Sequence, residues 1–496
     1  MYVLTDDRWY SEIADAIRSI NNESSSYYPS QLTSKIYELP VTTLATYVAD
    51  YTAGYVDEKL RYLVGISASR IGDNVFSGNS NIEIVKYPRV SVVGENAFRS
   101  CTNLRTVSLP RCKALGKFAF GSCRSLSEIS LPKCELIGDG AFNQCSFTHI
   151  DLPECVNVGI GAFGRCINLL SVRLQSCKTV NDNAFYNCFK LTKVELPECT
   201  YISMSAFERC EHLSQISLPK CTYVGQNAFS ECTSLSYIEL PFCSYISTQA
   251  FYSCRNLTTA IIPKCLSIGI SAFQWCTNLS KIDIHNCLNI YNGAFYNCRK
   301  LSHIELGSCI SIYSYVFYGC TSLASINLPE CEMLGPSVFY GCTRLSIANI
   351  PACSQVPASA FQGCNALTSI HIPRCSLIGY YAFASCKALT SIYIPRCSLI
   401  SYMAFASCSL LSIVDASICI SIYDSAFTSC FMLTSLNLGL AKSVTQISSN
   451  TFMSTPIGGY SDIAGKYGSV YVPSSLYEQF VSADWWSLIS DRLVSI

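Results

Sequence analysis

Charge is scarce in this chain: 14% of its 496 residues are Asp, Glu, Lys or Arg, and 34 basic residues balance 34 acidic ones to a formal net charge of zero. A nucleic-acid binder needs a basic face whose lysines and arginines release counterions from phosphates, and that balance argues against one. Long apolar runs are missing as well. No stretch of 18 or more apolar residues occurs, whereas a helix needs about 20 to cross a bilayer, so membrane insertion is not expected. The opening Met1-Tyr2-Val3-Leu4-Thr5-Asp6-Asp7-Arg8 has neither the basic patch nor the apolar segment of a secretory leader. Catalytic signatures are absent too. There is no Gly-x-Ser-x-Gly, no His-Glu-x-x-His and no phosphate loop, and none of the five histidines (His149, His212, His285, His303, His371) stands in a motif with a nucleophile. The chain is therefore expected to be no enzyme and to use no cofactor.

What the chain has in abundance is periodicity. Phenylalanine recurs at 76, 98, 120, 142, 163, 185, 207, 229, 251, 273, 295, 317, 339, 361, 383, 405 and 427, with every interval 22 residues except the 21 between Phe142 and Phe163. Self-similarity at this spacing marks a repeat architecture in place of the several globular domains that length alone suggests. One turn, beginning at Cys101, reads Cys-x-x-Leu-x-x-Val-x-Leu-Pro-x-Cys-x-x-Leu-Gly-x-x-Ala-Phe. The alternation Val107-Ser108-Leu109 predicts a short strand with Val107 and Leu109 turned inward, and Pro110 ends it. The second half-turn is too short for an α-helix, and extended or 3₁₀ pieces are expected there. A single turn offers roughly five large apolar side chains at about 1.5–3 kcal/mol each, against an ordering cost of roughly 1.5 kcal/mol per residue. It cannot stand alone, and stacking is what makes it stable.

The 31 cysteines fall in two columns, Cys101 to Cys430 three residues after each Phe and Cys112 to Cys419 in the opposite half-turn. Within a column, neighbours lie one strand spacing apart with parallel Cα–Cβ vectors, while a disulfide needs converging Cβ atoms about 3.8 Å apart. No Cys-x-x-Cys pair suggests zinc. The columns are read as free structural thiols acting as small apolar fillers, and no metal site is expected.

The string Leu-x-x-Ile/Val-x-Leu-x-x-Cys-x-x-Ile resembles the leucine-rich repeat, and its continuation Gly-x-x-Ala-Phe-x-x-Cys resembles the BspA-like subfamily of bacterial surface antigens. The resemblance covers about residues 60 to 453. It implies a right-handed repeat solenoid with a parallel sheet, used for adhesion or protein recognition, and it carries over no catalytic residue. The ends depart from the repeat. Residues 1–39 are read as a helical docking segment, 40–59 as a linker or cap, 60–453 as the solenoid and 454–496 as a small α/β C-terminal cap. The segment Leu4-Thr5-Asp6-Asp7-Arg8-Trp9-Tyr10-Ser11-Glu12-Ile13 is similar to N-terminal segments of phage tail and other structural proteins.

Two surfaces are candidates for binding. A tyrosine follows the repeat Phe at Tyr296, Tyr318 and Tyr340 in consecutive turns, an arrangement that predicts a stacked aromatic strip suited to a protein or a surface glycan. Outward strand positions supply Tyr237, Tyr393, His303 and His371, and most other outward charges, such as Lys193 with Glu195, are read as solvating the sheet. The expected function is a binding or adhesion scaffold. A phage virion or tail component, homo-oligomeric and meeting a bacterial surface or neighbouring virion proteins, is the leading form. An exported bacterial cell-surface adhesin is the alternative.

Overall fold

In the computed structural model the described residues are 61–64, 68–459 and 467–496. The expected helical segment 1–39 and linker 40–59 lie outside them. The chain divides into two units, Met1–Leu218 and Pro219–Ile496, and the described part of each is a stack of parallel turns of the same construction.

The turn from Cys101 shows that construction. Thr106–Ser108 forms a three-residue strand with Val107 buried, and Ala114–Leu115 forms a two-residue strand with Leu115 buried. Both pair in parallel with the next turn, Val107 opposite Ile129 and Leu115 opposite Ile137. A period-two strand embedded in a 22-residue period keeps one side chain inward at each rung, which is how the alternation in the sequence becomes a continuous core.

The rest of the turn is not 3₁₀ helix, as its length suggested, but a third ladder of unusual backbone. Phe118 and Ser122, which flank the buried Phe120, have φ of +51° and +62°. Alternating right- and left-handed residues swing successive peptides round so that their N–H groups point the same way. Thus Phe118, Phe120 and Ser122 all donate to the following turn, to the carbonyls of Asp139, Ala141 and Asn143 at 2.7, 2.8 and 2.7 Å. A left-handed conformation costs a non-glycine residue roughly 1–2 kcal/mol. It persists here because the ladder over-determines it. Glycine removes the penalty at the equivalent Gly140 and Gly161, both with φ of +59°.

Behind this wall the phenylalanines stack. In the first unit ring centroids run from 5.0 Å for Phe76–Phe98 to 5.1 Å for Phe185–Phe207. In the second unit they run from 5.2 Å for Phe229–Phe251 to 5.9 Å for Phe427–Phe452. All 31 cysteines are free and buried. Those of the first column donate to the carbonyl of the preceding turn's Phe, as Cys123 Sγ does to Phe98 O at 2.9 Å. Those of the second donate within their own turn, as Cys177 Sγ does to Thr179 O at 3.3 Å.

The one 21-residue interval leaves a mark. A residue is missing between Cys145 and Phe147, and Phe147 takes the place of the usual leucine, edge-on to Phe142 at 5.3 Å and 83°. The shortened approach breaks the ladder of three-residue strands: Glu128–Ser130 ends one sheet and His149–Asp151 begins the next. Ile129, with no paired strand on that side, is left half-buried. A second departure falls at His303, which was expected on a strand. Residues 301–306 form none, although Ile304 and Leu306 remain buried. Gly307 stands there in place of the proline that fixes the exit of most strands.

At the C-terminal end Ser469–Val472 pairs with Ser435–Asn437, and Leu493–Ser495 pairs with Ser469–Val472. A short helix, Tyr477–Ser482, lies between them. Trp486, 1% exposed, is tilted against Phe452 at 6.0 Å and donates its indole N–H to Thr445 O at 2.7 Å. This is the expected small cap, and it closes the aromatic stack with a ring larger than any in the repeat.

Candidate partner-binding surfaces

The repeat places one side chain of each column directly over its counterpart 22 residues earlier, so a surface feature exists only where consecutive turns carry compatible residues. The tyrosine row meets that condition. Tyr296 and Tyr318 stack with centroids 4.7 Å apart and planes 5° apart, and Tyr318 and Tyr340 at 4.6 Å and 1°. Burial, then the neighbouring Tyr296 and Tyr340, push the Tyr318 hydroxyl above the usual tyrosine range. The geometry changes what the strip can do. Rings this parallel cover one another's faces, so Tyr318 offers a partner its edge and hydroxyl and has no free face on which a sugar can stack.

Sequence reasoning missed the rest of this cluster. Trp275 lies 5.9 Å from Tyr296 at 58°, Arg299 sits over the Trp275 ring at 6.0 Å, and Tyr315 leans on Tyr318 at 6.2 Å. Trp275 comes two residues after its phenylalanine and not one, which kept it out of the tyrosine register. A separate stacked pair, Tyr291 and Tyr313 at 4.9 Å, was detectable from its 22-residue interval.

The remaining candidates are not brought into one site. Tyr237 is 45% exposed, and its hydroxyl donates to Glu239 on the same strand at 2.7 Å. That bond holds its proton on and raises its pKa. His303 Nε2 is 3.7 Å from Glu305 Oε1. His371 is exposed at the end of the strand Ser369–His371 and is paired with Asn349. Tyr393, 61% exposed, lies opposite Asp415, one period beyond His371. Around it the second unit exposes Ile347 and Ile413 at outward strand positions, 52% and 50%.

Other chemistry is thin. His149 Nδ1 lies 2.7 Å from Ser171 Oγ, but on the open face of a sheet, where neither an orienting carboxylate nor an oxyanion hole completes the arrangement a serine nucleophile requires. Among the described residues no group of three or more His, Cys, Asp or Glu is placed to hold a metal ion. Lys193 and Arg173 both reach Glu195, at 2.7 and 3.5 Å, and the Lys193 hydrogen bond holds that carboxyl below the usual range. Exposed pairs of this kind keep a sheet face solvated. A cavity of about 330 Å³ in the C-terminal cap is lined by Phe452, Met453, Trp485, Leu488 and Ile489 among others.

The model of the BspA type leucine-rich repeat region, six copies, matches residues 64–157, 135–258, 244–368 and 354–461. The chain belongs to the BspA-type leucine-rich repeat family. Solved structures resemble it as well. A leucine-rich cell surface protein from Faecalibacterium prausnitzii is 25% identical, the match covering 61% of this chain and 83% of that one with a TM-score of 0.34. A leucine-rich repeat protein from Bacteroides ovatus is 21% identical over 82% of this chain and 88% of its own, with a TM-score of 0.30. The T. pallidum leucine-rich repeat protein is 27% identical over 31% and 78%, with a TM-score of 0.30. No curated protein matches the sequence. For a BspA-type chain the Phe, Cys and Leu columns belong to the scaffold, and candidate sites must be sought among the residues that do not repeat.

Proposed function

We propose that this BspA-type repeat protein is a non-enzymatic binding scaffold displayed at a bacterial cell surface, where its outward faces engage a protein or a surface glycan. The observation that carries the reading is the exposure of Tyr393, Ile347 and Ile413, at 61%, 52% and 50%. Each stands at an outward strand position where the core has no use for an apolar side chain, and exposed apolar side chains gathered on one face mark interaction surfaces. The surface address follows the family, whose resemblance is to bacterial surface antigens. The virion reading, with its homo-oligomer, rests on a likeness within residues 4–13, which lie outside the described part, so the adhesin is preferred.

Antibody labelling of intact, unpermeabilised producer cells tests the address, and labelling of the cell surface is expected. Signal confined to released phage particles would overturn it. Adhesion of the purified protein to its target surface should fall at least tenfold in Tyr393→Ser/Ile413→Ser with the melting temperature unchanged. Unaltered adhesion would show that this face is not the one used.

A further inference from the structure

Three consecutive turns of the first unit carry a cation at the same place. Arg89, Arg111 and Lys133 each follow the proline that ends the strand, Pro88, Pro110 and Pro132, and all three cations are exposed. The register joining Ile84–Lys86, Thr106–Ser108 and Glu128–Ser130 holds them in one column, about 4.8 Å apart per turn. Lys86 and Lys113, also exposed, flank the column. Acids enter only at its far edge, where Glu135 takes Lys113 at 3.0 Å and Glu154 takes Lys133. Arg89 and Arg111 have no ion pair among the described residues.

Solvation does not account for this. A sheet surface is solvated as well by alternating signs, as at Lys193 and Glu195, whereas like charges stacked turn on turn repel. Nor does the region look like a protein interface, which needs an apolar or aromatic anchor at its centre. Among the described residues the first large hydrophobic side chain that is exposed is Leu136, at 51%, beyond most of the column. Another cation pair in the same register, Arg374 and Arg396, has Tyr393 and Ile413 close in the chain or in the next turn. The first column has only prolines and small polar residues.

We infer that the column Arg89–Arg111–Lys133 binds a linear anionic polysaccharide, with successive acidic groups of the chain meeting successive turns. One sugar unit is about as long as one turn is thick, so charges repeated along such a polymer can fall in step with the column. The inference names a ligand class for the scaffold proposed above and rests on that reading. It also refines the composition argument: a net charge of zero over the whole chain conceals a local basic stripe.

The test measures fluorescence anisotropy of labelled heparin and polygalacturonate oligomers titrated with the full-length protein at low and raised salt. A dextran oligomer and a poly-glutamate peptide serve as comparators. Expected are binding of at least one anionic glycan that weakens with salt, and no binding of dextran. Arg89→Ser/Arg111→Ser should weaken binding at least tenfold and make the salt dependence shallower. Arg374→Ser/Arg396→Ser, which removes the same charge elsewhere, should change it less than twofold. No glycan binding at low salt, equal losses from the two double variants, or tighter binding of poly-glutamate would each overturn the inference. Cell-surface labelling together with any of those outcomes removes the polysaccharide and leaves the scaffold standing.

Discussion

From Phe98 to Phe427 the inward side chains barely change from turn to turn, while the outward position held by Thr106 passes through Glu128, His149, Ser171, Lys193 and Gln215 within the first unit alone. The contrast follows from neighbours. An inward residue touches the same residue type above and below, so a change of size is felt twice. An outward residue answers only to solvent and to whatever binds. Interior and exterior should therefore respond differently to perturbation, and each prediction below tests that difference.

The largest effect is expected from alkali, which attacks the interior everywhere at once. Burial pushes the thiols of Cys134, Cys177, Cys375 and Cys397 up to about 12, while an unfolded thiol ionises near 8.5. Because the folded value is the higher one, the stabilisation is complete below about pH 8.5 and is lost as pH rises toward about 12. Each such thiol contributes a slope of up to about 1.4 kcal/mol per pH unit within that window, and many act together. Circular dichroism against pH, with reductant present, should show a flat plateau to about pH 8.5 and cooperative unfolding within one to two units above it. A gradual decline with no break near the thiol pKa would mean that the cysteines are not held neutral by burial.

Next in size is the removal of one ring from the stack. Phe273 lies between Phe251 at 5.1 Å and Phe295 at 5.5 Å. Phe273→Ala should cost about 3–5 kcal/mol, read as the loss of thermal stability. In a stack where each turn rests on its neighbours, amide exchange should accelerate first in the turns on either side. An outward change such as Lys281→Ala should stay within about 0.5 kcal/mol. Comparable losses from both variants would erase the distinction between inside and outside.

These expectations show what could be read from the sequence and what could not. The period, the buried columns and the free thiols were legible because each depends on a residue type returning at a fixed interval. The left-handed wall was not. Its positions are held by Asn96, Phe118, Gly140, Gly161, Asn183 and Ser205 in turn, a series with no shared side chain, because the ladder sets the backbone and residue identity does not. The scattered Asn and Gly were the one hint. The loss of strand at His303 was hidden for a related reason: Ile304 and Leu306 keep the inward pattern, and pairing is settled by adjacent backbones. Of the surfaces, the tyrosine strip could be located by interval, but its edge-on presentation is a matter of ring angle that no spacing encodes. The basic column is visible in the sequence once the register is known and invisible in the charge total.

The two cysteine columns allow a finer cut through the interior. Cys254 Sγ reaches back to Phe229 O at 3.1 Å in the preceding turn, whereas Cys265 Sγ bonds Ser267 O at 3.3 Å inside its own. Both are fully buried, so Cys→Ala removes similar volume from each. Only the first also cuts a link between turns. Cys254→Ala should cost about 1–2 kcal/mol and Cys265→Ala about 1 kcal/mol, compared by chemical denaturation under reducing conditions. Equal costs would assign the thiols a filling role alone.

The smallest effect is expected at the tyrosine strip, which lies between the two regimes: outward like the exterior, stacked like the interior. Tyr318 contacts a ring on each side, at 4.7 and 4.6 Å, and Tyr296 only one tyrosine of the row, Tyr318. An aromatic pair contributes about 0.5–1.5 kcal/mol beyond the area it buries. Tyr318→Ser should therefore destabilise by about 1–2 kcal/mol and Tyr296→Ser by about half as much, measured by thermal denaturation. If the strip serves the fold, adhesion at working temperature is unchanged in both variants. If ring edges and hydroxyls also contact the partner, adhesion falls in both by a similar factor despite their unequal stabilities. The ratio of the two losses, in stability against adhesion, separates a row of rings that packs the wall from one that also faces a ligand.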